Sequence, residues 1–139
     1  MAPEITPDGF GIGAALGPGP VYPVVGGTGV VHAVRRAAEW PRGPWGGQKV
    51  LWFVHQEYGE RVLIRGRRLG GWQWLRFDRG LRPAAELRIE PGETVGWNGQ
   101  PEGSRGRPSY VRVRASGCYA AQIDGTTFSR VVVFRVVLS

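Results

Sequence analysis

Glycine and proline decide most of what this chain can become. There are 23 Gly and 11 Pro among 139 residues, about twice average usage. Both residues break helices, which argues against a helical bundle. They suit many short strands joined by tight turns. The length fits one domain rather than two. It also allows a core to be buried without disulfide or metal staples.

The breakers recur along the chain. Gly26-Gly27, Pro41-Arg42-Gly43-Pro44, Tyr58-Gly59, Gly70-Gly71, Pro91-Gly92 and Asp124-Gly125 separate short runs rich in Val, Ile, Leu, Trp, Phe and Tyr. These runs predict strands over 21–25, 29–35, 49–55, 61–67, 72–77, 86–90, 94–97, 110–115, 118–124 and 130–138. Several alternate: Val62 and Ile64 share one face, and Val111 and Val113 oppose Arg112 and Arg114. A strand with one apolar and one polar face is the mark of an antiparallel sheet with a wet side. Residues 1–20 are Pro/Gly-rich without a sustained period and read as an irregular N-terminal arm or linker, leaving 21–139 as the folded domain. Such an arm can cross to a neighbouring molecule, giving oligomers, or cover an exposed edge strand. Its Gly11-x-Gly13 lacks both the preceding strand and the third glycine of a dinucleotide fingerprint.

The stretch Ala115-Ser116-Gly117-Cys118-Tyr119 puts a Gly two residues before a Tyr at the start of a strand. That spacing resembles the tyrosine corner of immunoglobulin-like domains, where the hydroxyl bonds back to the preceding corner. The resemblance covers 107–138. Those domains often place Cys two residues after the Tyr; here Ala121 stands there, so the likeness is to disulfide-free members. It implies an all-β, immunoglobulin-like antiparallel β-sandwich with Greek-key connections, in which Tyr119 is structural and 130–138 is the last strand. With 47–56 and 62–69, the same block also resembles uncharacterised secreted or lipoprotein-type bacterial proteins. This implies an extracytoplasmic or cell-surface location and is nearly silent on function.

Charge narrows the partners. Eighteen basic residues, all Arg except Lys49, against 11 acids leave a net charge of +7. Such a surface attracts nucleic acid, anionic headgroups and acidic glycans without choosing among them. Arg-rich, Lys-poor composition beside abundant Gly, Ala and Pro also follows from a GC-rich genome. No apolar run is long enough for a membrane-spanning helix. Glu4 and Asp8 stand where a signal peptide would be basic, so no targeting signal is read in the chain. The Met1-Ala2-Pro3 start also suits a trimmed chain whose own signal has been removed.

Most catalytic chemistries find no constellation. A single Cys, Cys118, rules out an intrachain disulfide and a Cys-based metal cluster. A blue-copper site needs two His, a Cys and a weak axial ligand; the loop 124–129 supplies none, and Cys118 reads as a small packed or half-exposed thiol. Ser104, in Glu102-Gly103-Ser104-Arg105-Gly106, lacks the first Gly of a nucleophile elbow, and only His32 and His55 could act as a base. Glu86, Glu90 and Glu93 read as solvated strand ends. Residues 43–49 are similar to a phosphate loop, but Gln48 stands where Gly should precede Lys49. Arg105-Gly106-Arg107-Pro108 matches the core of a minor-groove AT-hook, here in a loop between two predicted strands. No catalytic residue, metal or cofactor is therefore assigned.

The aromatic residues give the better lead. Six Trp exceed what one core needs. Trp52 lies in an apolar run and reads as core. Trp72, Trp74 and Arg76 share one face of a strand, which is either buried or a platform for sugar rings or a protein partner. Trp40 and Trp45 bracket a loop, and loop aromatics often bind or seal an edge. Arg65 and Arg67, with Arg68, Arg112 and Arg114, are expected on a wet face able to hold carboxylate or phosphate. The sequence thus predicts a non-enzymatic extracytoplasmic binding or structural module, recognising a glycan, cell-envelope polymer or protein partner. The alternative is a basic nucleic-acid-binding protein; a small hydrolase ranks third.

Overall fold

A computed structural model describes residues 14–96 and 104–139. Gly11, Gly13 and Trp97 lie outside these. The described chain is almost entirely β. Its strands are β1 (Ala14–Ala15), β2 (Val21–Val25), β3 (Val30–Ala33), β4 (Gly46–Val54), β5 (Val62–Arg68), β6 (Trp74–Phe77), β7 (Leu87–Ile89), β8 (Val95–Gly96), β9 (Arg105–Val113), β10 (Gly117–Asp124) and β11 (Ser129–Leu138). A single 3-10 turn, Pro91–Glu93, is the regular helical element among them. Among the described residues no helix is long and apolar enough to cross a membrane.

The strands form one curled sheet in the order β1-β2-β4-β9-β6-β5-β10-β11-β3, with β7 on β5 and β8 on β9. All pairs are antiparallel except β3 with β11, which run parallel through Arg135↔Val30 to Leu138↔Ala33. The sheet is therefore mixed, not purely antiparallel as the alternation suggested. Strand β6 joins its two halves. Leu75 and Trp74 pair with Gly66 and Arg67 of β5, while Arg76 and Phe77 pair with Arg112 and Val111 of β9. The curl closes where Val34 and Gly47 exchange two backbone hydrogen bonds of 2.9 Å.

Alternation puts the apolar rows inside the curl. Trp52, Ile64, Leu75, Phe77, Ile89, Val111, Val113, Ile123 and Phe134 pack in one cluster with the aliphatic residues of β2 and β3. Trp52 is core, as its apolar run implied, though its indole N–H has no hydrogen-bond partner among the described residues. Tyr119 is also fully buried and donates its hydroxyl hydrogen to the Ala115 carbonyl at 2.7 Å. Desolvation, the largest influence, raises its phenol above the ordinary value.

Two strand segments lie outside the runs marked in the sequence. β1 falls within the stretch read as an arm, and Ala14, Ala15 and Leu16 are buried, with Leu16 in the main core. Residues 105–109, read as loop, are the first half of β9 and pair with β4 from Arg105↔Val54 to Ser109↔Val50. Pro108 is tolerated because it lies between the part of β9 paired with β8 and the part paired with β6.

Candidate functional site

Strand parity builds the site. On β5, Val62 and Ile64 point inward, so Leu63, Arg65 and Arg67 point outward. On β6, Leu75 and Phe77 are buried, so Trp74 and Arg76 face out. Register then sets Arg67 opposite Trp74 on one side and Ala120 on the other. The next row is Arg65, Gln122 and Val131. These side chains, with Gly66, line an open groove of about 410 Å³. Trp74 is 52% exposed, and Trp72, in the turn just before β6, is 69% exposed. The surface alternative for this Trp pair therefore holds, and burial does not.

The outward face continues along β5. Leu63 sits between Arg88 of β7 and Asp124 of β10. Those three residues line a second hollow with Arg61, Glu90, Gly125 and Thr126. From Arg67 to Leu63 the face runs about 13 Å at a strand's rise per residue. The far end carries acid. Asp124 accepts hydrogen bonds from the Ser129 hydroxyl at 2.5 Å and from the Gln122 amide at 3.1 and 3.2 Å. Those two donors, Ser129 first, hold its carboxyl below the usual range against the opposing effect of burial. Arg65, 3.9 Å away, adds a smaller pull in the same direction.

On the other side of β6 the basic row behaves differently from the sequence expectation. Arg112 does not face water: it is 0% exposed. Both faces of β9 are covered here, Val111 and Val113 by the core and Arg112 by the segment before β4. Its guanidinium donates to the carbonyls of Gly46 at 3.3 Å, Asp78 at 2.9 Å, Gly80 at 2.8 Å and Trp45 at 2.8 Å. Trp40 covers it, with the guanidinium carbon 4.9 Å from the ring centre. Trp40 is only 2% exposed and donates its indole N–H to the Val34 carbonyl. It seals the fold rather than offering a surface. Trp45 is half-buried, and Arg76 and Arg114 lie over its ring at 5.8 and 5.6 Å. The side chains of Arg76 and Arg114 form no hydrogen bond or ion pair with any described residue, and the Arg76 Nε is itself buried.

The remaining candidates are scattered or occupied. Arg105 donates to the Tyr58 and Glu60 carbonyls. Arg107 donates to the Pro108 carbonyl and lies 3.4 Å from Asp78. The AT-hook-like tetrapeptide is thus strand, with both arginines engaged internally. Arg68 is tied to the Ser116 carbonyl at 2.9 Å. Cys118 is exposed rather than packed. Ser104 is buried, and its hydroxyl has no partner among the described residues. No three His, Cys, Asp or Glu residues cluster among the described residues.

The sequence reading missed Gln122 and Val131 as groove residues. Their outward parity was present in the alternation of 118–124 and 130–138, but only register brings them beside Arg65. The chain matches no protein-family model and no curated protein in sequence comparison.

Proposed function

We propose that this protein is a non-enzymatic binding module for a linear glycan or cell-envelope polymer, acting outside the cytoplasm. One observation carries the reading: Trp74 stands half-exposed in a groove shared with Arg65 and Arg67, and Trp72 is exposed just before it. Sugar rings stack on indole faces, and flanking guanidiniums donate hydrogen bonds to ring oxygens and hydroxyls. The groove is open to solvent rather than enclosed, which suits a polymer better than an enclosed small molecule. The architecture proposed with it is the immunoglobulin-like sandwich with Greek-key connections. The hydroxyl bond from Tyr119 back to Ala115, just before β10, supports that part of the reading.

The test is titration with soluble cell-wall glycans, followed by tryptophan fluorescence at low and high salt. A saturable shift that survives salt, and disappears in Trp74→Ala while melting is unchanged, is the expected result. The buried Trp40 and Trp52 do not report on such a ligand. A response to duplex DNA alone, abolished by salt, would replace this reading with nucleic-acid binding.

A further inference from the structure

The groove has a polarity, and it points to the kind of polymer. Around Asp124 and Glu90 the face carries carboxylates. At the Trp74 end there are none among the described groove residues, while the side chains of Arg67, Arg76 and Arg114 have no hydrogen bond or ion pair with any described residue. Arg76 follows Trp74 on the same face, about 6.5 Å further along the strand. Across the β6–β9 seam its register partner is Arg112, a buried guanidinium compensated by four carbonyl oxygens and no carboxylate. Like charges directly opposite one another destabilise a sheet. Arg76 therefore sits in a strongly positive place with a buried, unused donor at Nε. Arg76 and Arg114 both lie against the Trp45 ring, and Arg76 shares the outward face of β6 with Trp74.

We infer that the ligand is an acidic glycan, and that one of its carboxylate or phosphodiester groups docks between Arg76 and Arg114 while the adjoining ring stacks on Trp74. Such a group offsets the charge that Arg76 and Arg114 share around the Trp45 ring and relieves the Arg76–Arg112 repulsion. A neutral glycan does neither. The inference rests on the glycan reading above and specifies the polymer's charge.

Four probes at physiological ionic strength test it: galacturonic acid oligomers, the same oligomers fully methyl-esterified, a polymer of hexoses joined by phosphodiesters, and duplex DNA. At least one acidic polymer is expected to bind about tenfold or more tightly than the neutral ester, as charge-assisted pairing to arginine requires. Which one binds identifies carboxylate or phosphodiester as the docking group. Arg114→Gln and the Arg76→Gln/Arg114→Gln pair should remove that preference, so that acid and ester bind alike. Arg114 is exposed, so its single variant tests the site even if the double variant fails to fold. Equal binding of ester and acid overturns the inference and leaves the glycan reading standing. No binding to any glycan overturns both. Acid binding that the variants leave unchanged, or DNA binding equally tight at equal charge, means non-specific attraction and overturns the inference.

Discussion

Arg112 shows how one side chain can organise several segments. Its four acceptors come from Trp45, Gly46, Asp78 and Gly80, so a single guanidinium ties the segment before β4 to the turn after β6. A planar fork with five donors can do this; an ammonium with three cannot. Arg112→Lys should therefore leave buried carbonyls unsatisfied and cost about 3 kcal/mol. The readout is a lower urea midpoint with an unchanged slope; an unmoved midpoint would mean water takes over the lost bonds. Tyr119→Phe is milder. Losing one hydrogen bond to Ala115 should cost about 1 kcal/mol near neutral pH. The buried phenol ionises above the ordinary value, so its contribution is complete below about pH 10. It is lost as pH rises from there toward the folded-state value. The gap between wild type and variant should consequently narrow in alkaline denaturation, and a gap constant with pH would refute the linkage. These residues also mark the limit of legibility. Alternation along 110–115 correctly paired Arg112 with Arg114 on one face. It could not say that Trp40 and the segment before β4 fold over that face, because a covering loop leaves no period in the strand it covers.

At the scale of elements, the breakers located most strands to within a few residues, because Val, Ile and aromatic side chains announce a pleated, half-buried surface. Both misses lack that signal. Ala14–Ala15 has neither branched nor aromatic side chains, and pairing with β2 holds it in register. Residues 105–109 carry Gly and Pro, and their strand conformation is imposed by the ladder of β4. The groove was legible only as two separate rows. Trp74 and Arg67 are neighbours because β5 and β6 pair antiparallel across a short turn, but the approach of β10 is a long-range event. At Gly66 that approach leaves no room for a side chain. A methyl group there would meet the Ala120 carbonyl oxygen at 2.6 Å, the Leu75 side chain at 3.1 Å and the Ala121 Cα at 3.2 Å. Two of these contacts are backbone of the neighbouring strand, so β5 and β10 must separate. Gly66→Ala should cost about 1–3 kcal/mol and weaken glycan binding at the adjoining Arg65 and Arg67. Gly59→Ala meets nothing within 4 Å and should stay within about 0.5 kcal/mol of wild type. Thermal melts of the two variants side by side check the contrast; equal melting temperatures would show that the sheet yields at Gly66 without cost.

For the whole molecule, the question is whether a sheet joined through a four-residue strand behaves as one unit. β6 gives two residue pairs to β5 and two to β9, a slender seam if hydrogen bonds alone held the halves together. The core argues otherwise. Trp52, Val111 and Val113 from one half share a single buried cluster with Ile64, Ile123 and Phe134 from the other, and burial of apolar surface is the dominant favourable term in folding. The Val34–Gly47 bridge adds a second connection, between the strands on either side of the closing gap. Neither half can open without exposing the inner face of the other, so unfolding should be a single two-state transition. Tryptophan emission and far-ultraviolet circular dichroism should give the same urea midpoint, with a slope of about 1–3 kcal/mol/M. The indoles sample both halves, since Trp52 lies in β4 and Trp74 in β6 beside β5. If the sheet instead broke at β6, emission would change in two steps while the dichroism fell gradually. The functional reading would change with it: Arg76 and Arg114 would then sit across a movable seam from Arg67, and the acidic group would bind by drawing two halves together rather than by entering a site already formed.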